Sequence, residues 1–375
     1  MPRSSRALLP AVVLAAGLLL PTPARAQVVP GACVPSVLPH GALSLICVPA
    51  AGWNGDLVVY AHGYIAPGLP LDFYQTALPD GTPLPALIQS LGYAFATTSY
   101  RQNGLAILEG ADDIRELVAA FNATHAAPVR TYVAGLSEGG LVATLLAERS
   151  PDLFTGALAS CAPIGSFLGQ LEYFGDFRVL FDYFFPGLLP ASPIKIPAEV
   201  IANWQSRYVP AITAALAARP AKTLELLRTA KAPFDPTKPE TAVNTALDLL
   251  WYNVFATNDA TAKLGGSPFG NTRKWYVGSS NDLLLNLRIQ RFVASPLARK
   301  ALRAYETSGE VGIPLVTLHT TSDDVVPFLH ELAYLAKSDP IGRGKFLPVP
   351  IVRYGHCNFT TNEVLGAFLL TVKQP

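Results

Sequence analysis

The sequence predicts an α/β protein: a mostly parallel central sheet flanked by helices and interrupted once by a helical insertion. Three observations carry this. Short apolar, β-branched runs recur along the chain, each closed by glycine or polar residues and most of them followed by a helical pattern. Several runs are apolar throughout rather than at alternate positions, as strands covered on both faces are. The alternation then fails in one block, 163–305, where no sheet strand is legible and apolar residues recur at helical spacing.

In chain order, strands are expected at 42–48 (ALSLICV), 56–63 (DLVVYAHG), 94–100 (AFATTSY), 130–136 (RTYVAGL), 156–161 (GALASC), 314–320 (PLVTLHT) and 348–354 (PVPIVRY). Helices are expected at 112–125, 139–150, 325–338 and 361–373. Inside the interruption, 196–220 and 239–257 read as helices; Leu247, Leu250, Trp251 and Val254 follow the i, i+3, i+4, i+7 spacing of one apolar face. The stretch 171–190, LEYFGDFRVLFDYFFPGLLP, is dense in aromatic side chains. Segments 27–162 and 306–375 are therefore expected to form the core domain. The block 163–305 is expected to be a cap or lid over the carboxyl ends of the strands, its aromatic stretch lining an acyl or aryl pocket.

The first 26 residues read as a signal peptide. Arg3 and Arg6 open it, an apolar run follows, and Ala24-x-Ala26 offers the small-residue pattern for cleavage after Ala26. The apolar run is too short to span a bilayer, so a secreted or periplasmic protein without integral membrane association is expected. Without its leader the chain holds 25 Lys and Arg against 27 Asp and Glu, a net charge of −2. That balance supplies no basic field for nucleic acid. An even set of cysteines in an exported chain (Cys33, Cys47, Cys161 and Cys357) favours two disulfides, with three possible pairings. No CxxC pair and no Cys/His cluster at zinc spacing occurs, so neither metal nor cofactor is expected. Two sequons, at Asn122 and Asn358, read as chance matches.

The sharpest chemical pattern is Gly135-Leu136-Ser137-Glu138-Gly139, which fits G-x-S-x-G between an expected strand and an expected helix. A serine on so tight a turn needs neighbours without bulk two residues away, and glycine at 135 and 139 meets that demand. Its hydroxyl becomes a nucleophile only when a base takes its proton and a third group orients the base. Three histidines follow Ser137 in the chain: His319, His330 and His356. His330 falls in a helical pattern and His319 in a strand, whereas His356 follows the last strand in a loop at the sheet's carboxyl edge. His356 is the expected base. The acid belongs in the turn after the preceding strand, where LHTTSDDVVPF offers Asp323 and Asp324. Asp323 is chosen; Asp324 is the alternative, since spacing does not separate adjacent residues, and either carboxylate can instead cap the helix expected to begin near Val325.

Together YAHGY (60–64), GLSEGG (135–140), HTTSDDVVP (319–327) and YGHC (354–357) resemble the α/β-hydrolase superfamily, in the order that family uses. The resemblance covers about 42–162 and 306–373 and is not visible in the insertion. It implies the α/β-hydrolase fold, with Ser137 as nucleophile, Asp323 as acid and His356 as base. By the same analogy the backbone N–H groups of Tyr64 and Glu138 form the oxyanion hole. His62-Gly63-Tyr64 lacks the run of glycines of some lipases and esterases and points to the simpler H-G-x type.

The same layout brings the end of GALASC and the His356 loop to one edge of the sheet, which suggests the pairings Cys161–Cys357 and Cys33–Cys47. The expected chemistry is hydrolysis of a carboxylic ester through an acyl-enzyme, on a small-molecule or polymeric substrate with apolar or aromatic parts, a polyester included. A peptidase of the prolyl-oligopeptidase-like kind shares such a core but needs an anchor for a peptide terminus, and no motif for one is present. A non-catalytic binding protein on this fold usually lacks a triad member, and here all three stand in order.

Overall fold

The computed structural model describes residues 28–190, 192–338 and 343–373. The signal peptide expected over 1–26 lies outside the described residues. The elements run β1 (Cys33–Val37), β2 (Leu43–Cys47), β3 (Asp56–Ala61), α1 (Leu84–Ser90), β4 (Ala94–Thr98), α2 (Ile107–Thr124), β5 (Arg130–Leu136), α3 (Glu138–Arg149) and β6 (Gly156–Ser160). Seven α-helices follow among the described residues before the next strand: α4 (Phe167–Phe184), α5 (Ala198–Ala202), α6 (Val209–Ala217), α7 (Pro220–Ala230), α8 (Thr241–Lys263), α9 (Asp282–Arg288) and α10 (Pro296–Ala301). The chain then closes with β7 (Leu315–Ser322), α11 (Leu329–Lys337), β8 (Phe346–Tyr354) and α12 (Thr361–Lys373).

The eight strands form one sheet in the order β1-β2-β4-β3-β5-β6-β7-β8. β3 to β8 pair in parallel, and β2 runs antiparallel to both β1 and β4. Every residue of β3, β4 and β6 is buried, which is why these strands read as unbroken apolar runs rather than alternating ones. Alternation is still present, sorting side chains between two covered faces. Leu57, Val59, Ala96 and Val133 pack with α2 and α3, whereas Val58, Tyr60, Phe95 and Leu158 pack with α1 and α12.

All seven expected strands form; the sheet domain adds the edge strand β1 and the short helix α1, and the insertion adds α4, α7, α9 and α10. β1 (CVPSV) is mostly exposed and carries Pro35, which a ladder tolerates at a sheet edge. It is clipped to the sheet by the Cys33–Cys47 disulfide, whose residues face each other across β1 and β2. The helix expected at 325–338 begins only at Leu329: Val326, the residue before Pro327, is steered away from helical backbone, and its N–H and that of Val325 donate to Asp323 Oδ1. Within the insertion, the helix expected at 196–220 is divided into α5, a π-helical turn (Trp204–Tyr208) and α6, with Pro210 in the first turn of α6.

The insertion has an apolar core of its own. Phe177, Phe181, Phe184 and Phe185 pack there with Ile212, Leu216, Leu249, Leu250 and Val254. Most of the aromatic stretch 171–190 is thus occupied with holding helices together, while Leu171 and Phe174 from it line a cavity beside Ser137. α8 is tied back to the sheet domain at its carboxyl end: Asp259 Oδ2 accepts the N–H of Leu105 at 2.7 Å, and Lys263 Nζ donates to the carbonyls of Asn103 and Leu105.

Candidate active site

The turn between β5 and α3 places Ser137 at φ 56° and ψ −119°, a left-handed conformation costly for any residue with a side chain, on the order of 1–3 kcal/mol. Its surroundings leave little alternative. A Cβ at Gly135 would lie 2.0 Å from the carbonyl oxygen of Gly139, and one at Gly139 would lie 2.1 Å from that of Ala61. Both positions therefore exclude every other residue. The N–H of Ser137 donates to the Ser160 carbonyl on β6 at 2.8 Å, holding the turn against the sheet.

Of the three downstream histidines, His356 reaches the serine. Gly355, at φ 104°, turns the chain as β8 ends, and Thr320 Oγ1 donates to the Gly355 carbonyl at 2.7 Å. His356 Nε2 then lies 2.9 Å from Ser137 Oγ, and Nδ1 lies 2.8 Å from Oδ2 of Asp323. A carboxylate can only accept, so the imidazole proton sits on Nδ1 and Nε2 is free to accept from the serine. The Cys161–Cys357 disulfide joins the residue after β6 to the one after the histidine. Among the described residues, the thiol-bearing positions near His356 are these two; their sulfurs are bonded to each other and offer no thiolate to a metal.

Asp323 and Asp324 divide their work. Asp323 accepts the imidazole N–H and also the N–H groups of Val325 and Val326 through Oδ1, at 3.0 and 2.8 Å. One carboxylate therefore both orients the His356 ring and shapes the turn. Burial opposes its charge, but the hydrogen bonds from His356 and the positive His319 ring outweigh that and hold Asp323 well below the usual carboxylate range. Asp324, the alternative acid, instead accepts the backbone N–H of His356 at 3.0 Å and the Tyr354 hydroxyl at 3.2 Å. Burial, with the charges of Asp323 and Asp248 adding to it, pushes its pKa up to about 7.

His319, set aside on sequence grounds, supports the acid from behind. Its Nδ1 donates to Glu331 Oε1 at 3.0 Å and its Nε2 donates to the Val326 carbonyl at 2.8 Å, with Asp323 Oδ2 at 3.5 Å. Burial opposes a charge on this ring, but the carboxylates of Asp323 and Glu331 outweigh it and raise its pKa to about 10. A cationic His319 thus neutralises part of the charge buried with Asp323. The one trace of this in the sequence is spacing: the residue lies four positions before the acid.

Tyr64 and Glu138 flank the serine, and among the described residues neither backbone N–H has a protein acceptor. The loop that carries Tyr64 is held by Gln75, whose Oε1 accepts the N–H of Gly63 at 2.6 Å. Nothing in the sequence marked Gln75. The side chain of Glu138 turns inward, accepting the N–H of Ala106 at 3.2 Å, and burial pushes its pKa up to about 8. At neutral pH it is therefore protonated and places no negative charge beside the serine.

Two cavities border this site, sharing Tyr252 and Val325 in their walls. An inner one of about 50 Å³ is lined by Ser137, Tyr64, Glu138, Phe174, Tyr252 and Val326, among others. An outer one of about 380 Å³ is lined by His356, Trp251, Tyr252, Tyr354, Asp248 and Asp324, among others. A larger cavity of about 560 Å³, against Trp275 and Leu329, does not reach Ser137.

The architecture is similar to that of solved hydrolases. Feruloyl esterase B of Aspergillus oryzae superposes with a TM-score of 0.51 at 12% identity, covering 90% of this chain and 82% of that one. The chain has the α/β-hydrolase fold. An esterase of Pyrococcus furiosus aligns at a TM-score of 0.46 and 10% identity over 90% of this chain and 89% of that one. An acylaminoacyl peptidase of Pyrococcus horikoshii aligns at 0.46 and 12% over 88% of this chain, which spans only 38% of the peptidase. No family model matches the sequence, and no curated protein matches it. On an α/β-hydrolase fold the Ser137 turn stands at the carboxyl end of a central parallel strand, the rim on which open α/β sheets place their ligands.

Proposed function

We propose that this chain is an exported serine hydrolase that cleaves carboxylic esters with apolar or aromatic parts through an acyl-enzyme. The observation that carries the reading is the unbroken relay Ser137 Oγ, His356 Nε2, His356 Nδ1, Asp323 Oδ2, with spacings of 2.9 and 2.8 Å across the two hydrogen bonds. Ser137 attacks the ester carbonyl as His356 Nε2 takes its proton, and the N–H groups of Tyr64 and Glu138 receive the oxyanion. His356 then gives that proton to the departing alkoxide. In the second half, water gives a proton to the same nitrogen and attacks the acyl-serine; as the bond to Ser137 Oγ breaks, Nε2 returns the proton to that oxygen and the carboxylic acid leaves. The insertion acts as a cap, a role supported by the contribution of Phe174 and Tyr252 to the inner cavity. Export is supported by the two disulfides, which persist in oxidising compartments. Among the described residues no helix is long and apolar enough to cross a membrane.

A fluorophosphonate probe followed by peptide mapping tests the reading. Labelling is expected at Ser137 and lost in Ser137→Ala, with turnover of p-nitrophenyl esters and little or none of aminoacyl anilides. Efficient anilide cleavage would favour a peptidase, and an unlabelled Ser137 would remove the basis for a serine mechanism.

A further inference from the structure

We infer, on the basis of the hydrolase reading, that the site takes esters of short acyl groups with bulky aromatic alcohols. Proton transfer fixes which side is which. The leaving oxygen must receive its proton from His356 Nε2, so the alcohol lies on the His356 side, in the outer cavity of about 380 Å³. The carbonyl oxygen points to the N–H groups of Tyr64 and Glu138, which places the acyl group in the inner cavity of about 50 Å³ that these residues border. A water's share of liquid is about 30 Å³ and drug-sized ligands fill roughly 300–1,000 Å³. The inner space suits an acetyl or propionyl group and not an eight-carbon chain.

The walls of the inner cavity are tied down. The rings of Phe174 and Tyr252 stack with centroids 4.9 Å apart and planes within 2° of parallel. Val325 and Val326 are held by the same Asp323 oxygen that helps to orient the base, and the Val325 carbonyl also accepts from Gln170 Nε2 at 2.7 Å. On the Val325–Val326 side, a long acyl chain would have to displace residues hydrogen-bonded to the catalytic acid; on the other side it would have to displace the stacked rings of Phe174 and Tyr252. Across Tyr252, the outer cavity presents Trp251 and Tyr354 in a wider space, suited to a flat aromatic group.

The test is kcat/KM for p-nitrophenyl acetate, butyrate and octanoate, and for benzyl against methyl acetate, with fluorophosphonate labelling of Ser137 measured in parallel. Acetate is expected to exceed octanoate by about tenfold or more, and benzyl acetate to exceed methyl acetate by about tenfold. Tyr252→Ala is expected to shift the acyl preference toward longer chains. Octanoate turned over as well as acetate, with Ser137 labelled, overturns the acyl assignment while leaving the hydrolase reading intact. Methyl acetate preferred over benzyl acetate overturns the alcohol assignment. No turnover of any ester together with no labelling overturns the hydrolase reading and this inference with it.

Discussion

His356 touches both members of the aspartate pair by different atoms: its ring Nδ1 lies 2.8 Å from Asp323 Oδ2, while its backbone N–H donates to Asp324 Oδ1 at 3.0 Å. The two contacts make different demands on the carboxyl group. The ring contact needs an acceptor that fixes the tautomer and balances the imidazolium that forms. The backbone contact needs only an oxygen.

Asparagine at the two positions separates these roles. Asp323→Asn is expected to lower kcat on p-nitrophenyl acetate by about 10³–10⁴-fold, since an amide N–H presented to Nδ1 favours the wrong tautomer. Asp324→Asn keeps an oxygen for the backbone N–H and is expected to cost about tenfold or less. Equal losses in the two variants would contradict the assignment of the acid.

Glu138 is expected to set an alkaline limit on turnover. Its carboxyl is protonated at neutral pH and ionises near pH 8, and the new charge sits next to the N–H groups proposed to hold the oxyanion. We expect kcat to fall as pH rises through about 8, and Glu138→Gln, neutral at every pH, to carry its activity further into the alkaline range. A pH profile unchanged by this substitution would show that the side chain is electrostatically silent.

Two buried histidines give stability opposite pH dependences. His319 has its pKa raised from 6.5 to about 10, so its contribution is full below pH 6.5 and is lost as pH climbs to about 10. His330 has its pKa lowered to about 3, chiefly by burial; its Nδ1 accepts the N–H groups of Gly165 and Ser166 and cannot do so once protonated. Its contribution is full above pH 6.5 and is lost as pH falls toward 3. Urea midpoints measured across pH should therefore decline on both sides, with His319→Gln flattening the alkaline limb and His330→Asn the acid limb.

The two disulfides should differ in what their loss does. Cys33–Cys47 spans 14 residues and Cys161–Cys357 spans 196, so the chain-entropy model assigns about 3 and up to about 5 kcal/mol to them. Replacing both cysteines of the second pair with serine should lower the Tm more than replacing the first pair. It should also lower kcat per folded molecule, because the bond sits beside the base. A first-pair variant with the greater kinetic defect would argue against this division.

Much of the sheet was legible because parallel strands buried on both faces must be apolar throughout, as DLVVYA and GALAS are. β1 was not, because an exposed edge strand needs no apolar pattern and CVPSV has none. α1 was hidden by its length and by the prolines at its start. The turn at Ser137 was legible because steric exclusion at positions 135 and 139 leaves its mark as glycine. Gln75 and His319 left little: a side-chain amide holding a loop, or a ring behind a carboxylate, is defined by what lies opposite it in space. The aromatic stretch 171–190 was legible only in part, because large apolar side chains serve a helical core and a ligand pocket equally well, and here most do the first while Leu171 and Phe174 do the second.

Tyr252 lines both cavities, with the Phe174 ring stacked on its own. The preferences for the two halves of a substrate are therefore not independent traits. A mutational path that widens one chamber at this position is expected to reshape the other in the same step, so adapting the proposed activity to a new ester would call for paired replacements, with the order in which they arrive deciding which routes stay open.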